Sequence, residues 1–345
     1  MEFSNSLLHW YLQNKRDLPW RNTTNPYPIW LSEIMLQQTR VAQGMPYFLS
    51  FMDNFPTVFH LAKASEEQVL KLWQGLGYYS RARNMHKTAQ FIAFNLDGNF
   101  PNNYNDLLKL KGVGEYTAAA IASFAFNEIV PVVDGNVYRV LARYFNVETD
   151  IASATAKKEF TALANELILK NNPALFNQAI MEFGALQCVP KNPNCTICIF
   201  NTSCAALQQN KVGNLPVKLK KTKVTNRYFN YLVFVDSNSE TIINKRTEKG
   251  IWQNLYEFPV IETETELELD AICKEIEGRF IDKKIKTIYK YNDTLLIHKL
   301  SHQKLHINFF NVEIDTKLEN GLDLINLKKM PFPIVIHNFI EKYLI

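Results

Sequence analysis

The stretch LLKLKGVGEYTAAAIASFAFNEIVPVVDGNVYR, from Leu107 to Arg139, decides the fold. Gly112 and Gly114 predict a tight turn, because glycine reaches positive φ without steric cost. The alanine-rich segment Tyr116 to Phe126 predicts a helix that packs closely on its neighbours. Backbone N–H groups at the start of such a helix can hold a phosphate. The stretch then ends an apolar run at Asp134, where a further helix begins.

An ordinary helix–helix turn and an aspartate that caps a helix account for the same features when the stretch is taken alone. The choice between that interpretation and a phosphate-binding turn therefore depends on the rest of the chain.

The chain has 345 residues and a formal net charge of +4, and its composition is that of a globular protein long enough for two domains. The mild basicity is compatible with a nucleic-acid partner but does not argue for one. We see no signal peptide and no apolar run of membrane-spanning length. The expected location is the cytoplasm, with no membrane partner.

Residues 1–210 predict helices joined by short loops. In the helix predicted from about Ile29 to Gln38, Glu33 shares one face with Ile29 and Leu36. Glu33 is then a carboxylate among apolar neighbours. Either its side chain reaches solvent at the edge of the helix, or burial raises its pKa and lets it donate a proton near neutrality.

Two polar segments carry side chains suited to nucleic-acid contacts. Leu36 to Arg40 ends a helix in amides, a hydroxyl and a cation, and amides can read base edges. Trp73 to Arg83 combines glycines, tyrosines and arginines, which can stack on bases and hold phosphates. A solvated helix end and a glycine turn with aromatic core residues remain open as alternatives.

Four cysteines follow the spacing C-x6-C-x2-C-x5-C, namely Cys188, Cys195, Cys198 and Cys204. In a reducing compartment such a group indicates a metal before a disulfide. Zinc sites usually show two close pairs separated by a longer segment. The asymmetric spacing instead fits an iron–sulfur cluster with four cysteine ligands. Cys273 lies far away and is interpreted as a structural thiol.

The pattern changes from Val224 onward to β-rich segments, which predict a separate α/β domain. The predicted strands are Tyr228–Val235, Thr241–Lys245, Lys286–Tyr291, Thr294–Leu300 and His306–Val312, and the predicted helices are Glu264–Glu277 and Pro333–Tyr343. Two domains are predicted, 1–210 and 227–345. The first contains the hairpin at about 106–126 and the cysteine loop at 188–204. Residues 211–226 form a basic linker with Lys218, Lys220, Lys221 and Lys223, which either follows phosphates or is simply solvated.

Further motifs lie along the chain in a fixed order. They are RDLPWR (Arg16–Arg21), LSEIMLQQTRV (Leu31–Val41), QGLGYYSRARN (Gln74–Asn84), LKGVGEYTAAAI (Leu110–Ile121), VDGNVYRVLAR (Val133–Arg143) and FNQAIMEFGALQC (Phe176–Cys188). GIWQNLYEFP (Gly250–Pro259) and LSHQKLHI (Leu300–Ile307) match more loosely. With the cysteine loop, these motifs resemble the MutY-type adenine DNA glycosylases of the endonuclease III-like superfamily over nearly the whole chain.

The resemblance implies a mainly α N-terminal region with a helix-hairpin-helix glycosylase fold and an iron–sulfur loop, followed by a C-terminal α/β Nudix-like domain. It also implies an enzyme that flips out and hydrolyses adenine mispaired with 8-oxoguanine, or with guanine, in double-stranded DNA. The implied cofactor is a 4Fe–4S cluster on the four cysteines, and the expected state is a monomer.

The resemblance also implies roles for individual residues. Glu33 matches the acid that protonates adenine at N7 and then activates water, and Asp134 matches the carboxylate that faces the oxocarbenium-like sugar. Asn136 and Tyr116 match positions that orient these two carboxylates. The implied contacts with substrate and DNA are as follows: Trp20 and Gln178 for the adenine pocket; Arg16 for the substrate; Gln38, Thr39 and Tyr78 for entry into the duplex and contact with the oxidised guanine; Ser301 and His302 for 8-oxoguanine; Gly112 and Gly114 for the DNA backbone.

Three departures refine the expectation. Leu300 stands where the family usually has phenylalanine, which affects mismatch selectivity rather than the chemistry. Tyr116 stands where the related lyases have a Schiff-base lysine, and a phenol cannot form an imine, so we predict a monofunctional glycosylase. The Nudix motif R-E-x-x-E-E is missing around Cys273 to Gly278, so the second domain should recognise a base without hydrolysing nucleotides.

Two alternatives from the same residues are a bifunctional endonuclease III-like glycosylase/lyase and a non-catalytic iron–sulfur protein that binds damaged DNA. Tyr116 and the long second domain argue against the lyase. The presence of both Glu33 and Asp134 argues against a protein that only binds.

Overall fold

The structure is a computed structural model, and it describes the chain in four stretches. The described residues are 2–219, 223–280, 284–292 and 294–344. The chain divides into two compact units, Met1–Lys63 with Asn84–Lys220, and Ala64–Arg83 with Lys221–Ile345. Residues 64–83, which the predicted boundaries place in the first domain, thus group with the second half. Within the described stretches, no helix is both long enough and apolar enough to span a bilayer.

The part of the chain before residue 210 is helical, as predicted. Its helices are α1 Glu2–Asn14, α2 Pro26–Met35, α3 Val41–Asn54, α4 Val58–Lys63, α5 Glu66–Leu72, α6 Ser80–Asn95, α7 Tyr104–Leu107, α8 Glu115–Phe126, α9 Gly135–Phe145, α10 Ala154–Leu167, α11 Pro173–Leu186 and α12 Ala205–Gln208. A short 3-10 helix, Pro19–Arg21, precedes α2.

Helix α2 begins and ends three residues earlier than the predicted Ile29–Gln38. The side chain of Asn25 accepts a hydrogen bond from the Tyr27 backbone N–H and so caps the helix. Pro26 lies in the first turn, where its missing N–H costs no helical hydrogen bond. Gln38 has a φ of +56° and is therefore outside the helix.

The core of the first unit forms where α1, α9, α10 and α11 pack together. Helix α8 packs against α2, and Ala118, Ala120 and Ala122 of α8 are fully buried. Their small side chains leave room for close helix contact. This packing brings α2, which carries Glu33, against α8, which carries Tyr116.

The hairpin turn before α8 confirms the expectation for one glycine and corrects it for the other. Gly112 has a φ of +77°, and a Cβ there would meet the Asn84 side chain at 2.7 Å. Gly114 has a φ of −90°, an ordinary extended conformation, and acts as the N-cap of α8 without any side-chain cap hydrogen bond. Only Gly112 therefore needs a residue without Cβ.

The second unit is built on a mixed sheet. The strands of the unit are β1 Thr225–Val235, β2 Asn244–Lys245, β3 Tyr256–Glu257, β4 Val260–Thr263, β5 Ile285–Lys290, β6 Leu296–Lys299 and β7 Gln303–Ile314, and its later helices are α13 Leu269–Arg279, α14 Leu324–Lys329 and α15 Ile334–Tyr343. In the mixed sheet the order is β4-β1-β7-β5, and β6 also pairs with β7, whereas β2 and β3 form a separate two-stranded sheet. Strands β1 and β7 are parallel, whereas β4, β5 and β6 pair antiparallel.

The described second half departs from the predicted elements in several places. The predicted strand Thr241–Lys245 is only an isolated bridge at Thr241 followed by β2. The predicted helix Glu264–Glu277 begins later, as α13. Strands β3 and β4 and helix α14 were not predicted. Strand β1 begins inside the predicted linker, and the linker residues Lys220 and Lys221 lie outside the described residues.

The two glycines of the hairpin give a matched test of the turn. We expect Gly112→Ala to lower the free energy of unfolding by about 2 kcal/mol, because a Cβ disfavours positive φ and must displace Asn84. Gly114→Ala should change it by less than about 0.5 kcal/mol, since a Cβ there meets nothing within 4 Å. Thermal unfolding of both variants measures this, and equal losses would contradict the assigned turn.

Candidate active site

A cleft of about 520 Å³ opens in the first unit. It is lined from α2, α8, α9 and α11 and from the loops before α2 and α3. The predicted site residues that line it are Glu33, Tyr116, Asp134, Asn136, Trp20, Arg16, Thr39 and Gln178. Its size is in the range of pockets that hold small organic ligands.

Glu33 is buried, which decides between the two interpretations that its sequence left open. Its side chain is 6% exposed, and its Oε2 accepts a hydrogen bond of 2.6 Å from the Tyr116 hydroxyl. Burial raises the pKa of Glu33 to about 7, and the nearby charge of Asp134 adds to the rise. The Tyr116 hydrogen bond and the Arg21 charge oppose it. A substantial fraction of Glu33 is therefore protonated near neutrality.

Asp134 is both a helix cap and a member of the cleft. Its Oδ1 accepts the backbone N–H groups of Asn136 and Val137 at 2.9 and 2.8 Å, which caps α9. Its Oδ2 accepts the Asn136 side-chain amide at 2.7 Å. Burial raises the pKa of Asp134, and these N–H groups oppose the rise. Three N–H donors favour the ionised form of Asp134, whereas Glu33 receives one hydroxyl.

The orientation of the Asn136 amide follows from its second partner. Its Oδ1 accepts a hydrogen bond of 2.8 Å from Arg139, so its Nδ2 faces Asp134. Arg139 also donates to the carbonyls of Gly184 at 2.6 Å and Cys188 at 2.7 Å. A Cβ on Gly184 would meet the Asn136 Cβ at 2.7 Å. Close approach of α11 to α9 therefore fixes the amide that holds Asp134.

Glu182 is a cleft residue that sequence reasoning missed. It is buried on α11, and burial alone would raise its pKa, but hydrogen bonds from Arg16 and Arg21 hold that pKa at about 2. Arg16 contacts it through two guanidinium bonds of 2.8 and 2.6 Å and through its backbone N–H. The available signal was a carboxylate between the apolar Met181 and Phe183 of a predicted helix.

The remaining cleft residues Arg16, Trp20 and Gln178 each contact another side chain of the protein. The guanidinium of Arg16, predicted to bind substrate, is engaged by Glu182. Trp20 is buried and packs edge-on against Phe48. The Oε1 of Gln178 accepts a hydrogen bond of 2.8 Å from Tyr11. Trp20 and Gln178 therefore form fixed walls of the cleft.

The residues predicted to contact 8-oxoguanine lie mostly in the second unit. The Tyr78 hydroxyl and the Ser301 Oγ are 2.5 Å apart. Ser301 and His302 are exposed in the turn between β6 and β7, and the His302 carbonyl accepts the Thr225 N–H at 3.0 Å. Gln38, by contrast, is exposed in the first unit.

The four clustered cysteines line one small cavity of about 30 Å³. Phe183 and Phe200 close it on its apolar side. The Cys198 sulfur accepts the Phe200 N–H at 3.4 Å, and the Cys188 sulfur accepts an Arg143 N–H at 3.4 Å. Across the described residues, no three His, Cys, Asp or Glu side chains are grouped as ligands of a metal ion.

Two family models match the chain. The HhH-GPD superfamily base excision DNA repair protein model matches residues 31–167, and the NUDIX domain model matches residues 230–342. The adenine DNA glycosylase of Buchnera aphidicola subsp. Schizaphis graminum is 35% identical over 348 residues, which cover 98% of this chain and 98% of that protein.

Solved structures confirm the fold of the first half. A thermostable thymine-DNA glycosylase aligns with a TM-score of 0.55 and 28% identity, over 60% of this chain and 95% of that one. Endonuclease III in a non-covalent complex with DNA aligns with a TM-score of 0.53 and 20% identity, over 61% of this chain and 95% of that one. At 20% identity, the second likeness shows the fold alone.

These findings confirm the predicted fold class, a helix-hairpin-helix glycosylase region followed by a Nudix-like α/β domain. Similarity to an adenine DNA glycosylase along almost the entire length of both chains goes beyond a shared fold. The chain belongs to the adenine DNA glycosylase family and is a DNA-binding glycosylase of base-excision repair.

Proposed function

We propose that the protein is a monofunctional glycosylase that hydrolyses adenine paired with 8-oxoguanine, and also adenine paired with guanine. The observation that carries the proposal is the buried Glu33, whose pKa is raised to about 7 beside Asp134 in a cleft large enough for a nucleoside. Adenine is a poor leaving group until it is protonated, so an acid that keeps its proton near pH 7 is the group the reaction needs.

The reaction begins when the adenine leaves the base stack and enters the cleft. Glu33 donates its proton to N7, which allows the bond between the base and the sugar to break. The Tyr116 hydroxyl then stabilises the carboxylate left on Glu33 through the existing hydrogen bond. That carboxylate takes a proton from the attacking water, and the acid is restored.

Asp134 supports the same step from the side of the sugar. Its carboxylate, held by three N–H donors, offers negative charge to the oxocarbenium-like sugar as the base departs. The two carboxylates therefore share the work through different environments: burial keeps a proton on Glu33 near neutrality, whereas three N–H donors oppose the effect of burial on Asp134 and favour its ionised form.

A monofunctional reaction fits the side chains that line the cleft. Among the described residues that line it, there is no lysine. Tyr116 occupies the position where the related lyases carry theirs, and its hydroxyl is hydrogen-bonded to Glu33. Without an amine next to the sugar, no Schiff base forms and the DNA strand stays intact after base release.

Recognition of the opposite base is assigned to Tyr78, Ser301 and His302, with Gln38 and Thr39 entering the duplex. Tyr78 offers an exposed aromatic ring that can stack on a base. Ser301 and His302 offer hydrogen-bonding groups in an exposed turn. Leu300 is half-buried in the same turn, so it serves as an apolar anchor in place of the family phenylalanine.

The DNA backbone is assigned to the hairpin before α8. The N-terminus of α8 begins after Gly114 and has no side-chain cap hydrogen bond, and the backbone N–H groups of such a terminus suit a phosphate. We propose that the protein acts as a monomer, as the resemblance to the family implies.

The four cysteines fit an iron–sulfur cluster. Four sulfurs face one cavity with apolar walls, and N–H groups of Phe200 and Arg143 already donate to two of them, as is favourable for cluster thiolates. When bound, the cluster would hold the segment from Cys188 to Cys204 as one rigid loop. The backbone carbonyl of Cys188, one of the proposed ligands, accepts a hydrogen bond from Arg139, so the loop supports the same residues that hold Asp134.

A single-turnover assay tests the proposed reaction on a duplex with one adenine opposite 8-oxoguanine. We expect adenine release, with a strand break only after hot alkali. The rate should be highest below pH 7 and fall about tenfold per pH unit well above it, because Glu33 must be protonated and its raised pKa lies at about 7. Glu33→Gln should lose at least about 100-fold in rate.

The same assay separates the competing functions. A strand break without alkali would show a lyase and overturn the monofunctional assignment. Tight binding without adenine release, in both the parent protein and Glu33→Gln, would show a protein that only binds damaged DNA. A rate that stays constant from pH 6 to pH 9 would contradict the role of Glu33 as the acid.

Cys198→Ser tests the cluster. We expect loss of the visible absorption of an iron–sulfur protein and a lower melting temperature, because three thiolates no longer hold the loop. Cys273→Ser is the matched control, since this cysteine lies on α13 of the second unit. A Cys198→Ser protein that lacks iron yet keeps the parent melting temperature would contradict a structural cluster.

A further inference from the structure

We propose that Arg81 is a positioning residue for lesion recognition: it holds Tyr78 where the phenol meets Ser301, and thereby sets the preference for 8-oxoguanine over guanine. The inference rests on the proposed function, because it assigns a role in recognising the base opposite adenine. All of the residues that carry it belong to the second unit.

The loop that presents Tyr78 has a strained backbone. Gly75 and Gly77 have φ values of +98° and +78°, which glycine tolerates. Tyr78 has a φ of +48°, which a residue with a bulky side chain adopts only at an energetic cost. Tyr78 is also 45% exposed, so burial of its own ring does not account for this conformation. Neighbouring groups must hold it.

Arg81 supplies that support through its charge and its donors. Its guanidinium lies 5.2 Å from the ring centre of Trp73 and 5.3 Å from that of Tyr78, so one cation contacts both rings. Its Nη2 donates to the Gly77 carbonyl at 3.2 Å, next to the strained residue. Burial lowers the pKa of Arg81 to about 10, and the side chain therefore remains a cation at neutral pH.

Trp73 is the buried residue against which Arg81 and the Gly77 carbonyl are held. Its ring is fully buried, and its Nε1 donates to the same Gly77 carbonyl at 2.9 Å. The Gly77 carbonyl is thus held from two sides, while Arg81 bridges from the buried Trp73 to the exposed Tyr78. Loss of the guanidinium would remove the cation that contacts both rings and one of the two donors to the Gly77 carbonyl.

The far end of Tyr78 meets the turn assigned to 8-oxoguanine. Its hydroxyl lies 2.5 Å from the Ser301 Oγ, between β6 and β7. That turn is itself held, because the Leu300 N–H donates to the Gln303 carbonyl at 2.8 Å. Arg81 therefore contacts Tyr78, one partner of the pair, and acts on recognition by positioning it. Its removal should weaken recognition of the opposite base and leave the acid chemistry of Glu33 unchanged.

The test compares the parent protein, Arg81→Met, Tyr78→Ala and the double variant. The probe is a duplex with an adenosine analogue made uncleavable by a 2′-fluorine, placed opposite 8-oxoguanine or guanine. We expect Arg81→Met to reduce the ratio of the two Kd values about tenfold, and the single-turnover rate at saturating enzyme on 8-oxoguanine:adenine to change less than about twofold. In the Tyr78→Ala background, Arg81→Met should reduce the ratio by less than about twofold further.

Two further variants keep the test decisive. Arg279→Met removes an exposed arginine of the same unit that pairs only with Glu275 in the described contacts, and it should leave the ratio unchanged. Arg81→Lys keeps a cation but not the planar guanidinium. It replaces Arg81→Met in the test if that variant proves unstable, and its ratio of Kd values should lie between those of the parent protein and Arg81→Met.

The inference is overturned if Arg81→Met lowers the ratio by the same factor with and without Tyr78, or if it lowers the saturating rate as much as the binding ratio. Either result would show a general structural role. Absence of adenine release from 8-oxoguanine:adenine by the parent protein would instead defeat the proposed function itself, which the parent assay shows separately.

Discussion

The burial of Glu33 between α2 and α8 is the constraint on which the rest of the site depends. A carboxyl that is 6% exposed and bonded to one hydroxyl keeps a pKa near 7, which is the property that acid-assisted base release requires. The fully buried alanines of α8 permit that burial, because they allow the two helices to approach closely. The packing of α2 against α8 thus also raises the pKa on which the proposed chemistry depends.

Asp134 differs from Glu33 in its hydrogen-bond donors, and a chain of further hydrogen bonds holds one of those donors in place. Asn136 holds Asp134, Arg139 holds Asn136, and Gly184 lets α11 come close enough to receive Arg139. A side chain at Gly184 would disturb this chain although it touches neither carboxylate. The stability of the first unit and the ionisation of its second carboxylate are therefore linked through packing.

Much of this arrangement could be predicted from sequence, because its signals are local. The glycine turn, the alanine-rich helix and the carboxylate of Glu33 on an apolar face each appear within a few residues. Glu182 could not be predicted in its role, since its partner Arg16 is 166 positions away. The contact between Tyr78 and Ser301 spans 223 positions, so local sequence patterns could not predict it either. Strand β3, with two residues, is too short to show alternation.

The central claim is that Glu33 retains its proton near neutrality, and a carbon-13 NMR titration of glutamate-labelled protein tests it most directly. Spectra of the parent protein and Glu33→Gln would assign the Glu33 carboxyl by its disappearance. We predict a midpoint near pH 7, and a higher one in Tyr116→Phe, because the Tyr116 hydrogen bond stabilises the carboxylate. A midpoint near the ordinary value of 4.5, unmoved in Tyr116→Phe, would contradict the account.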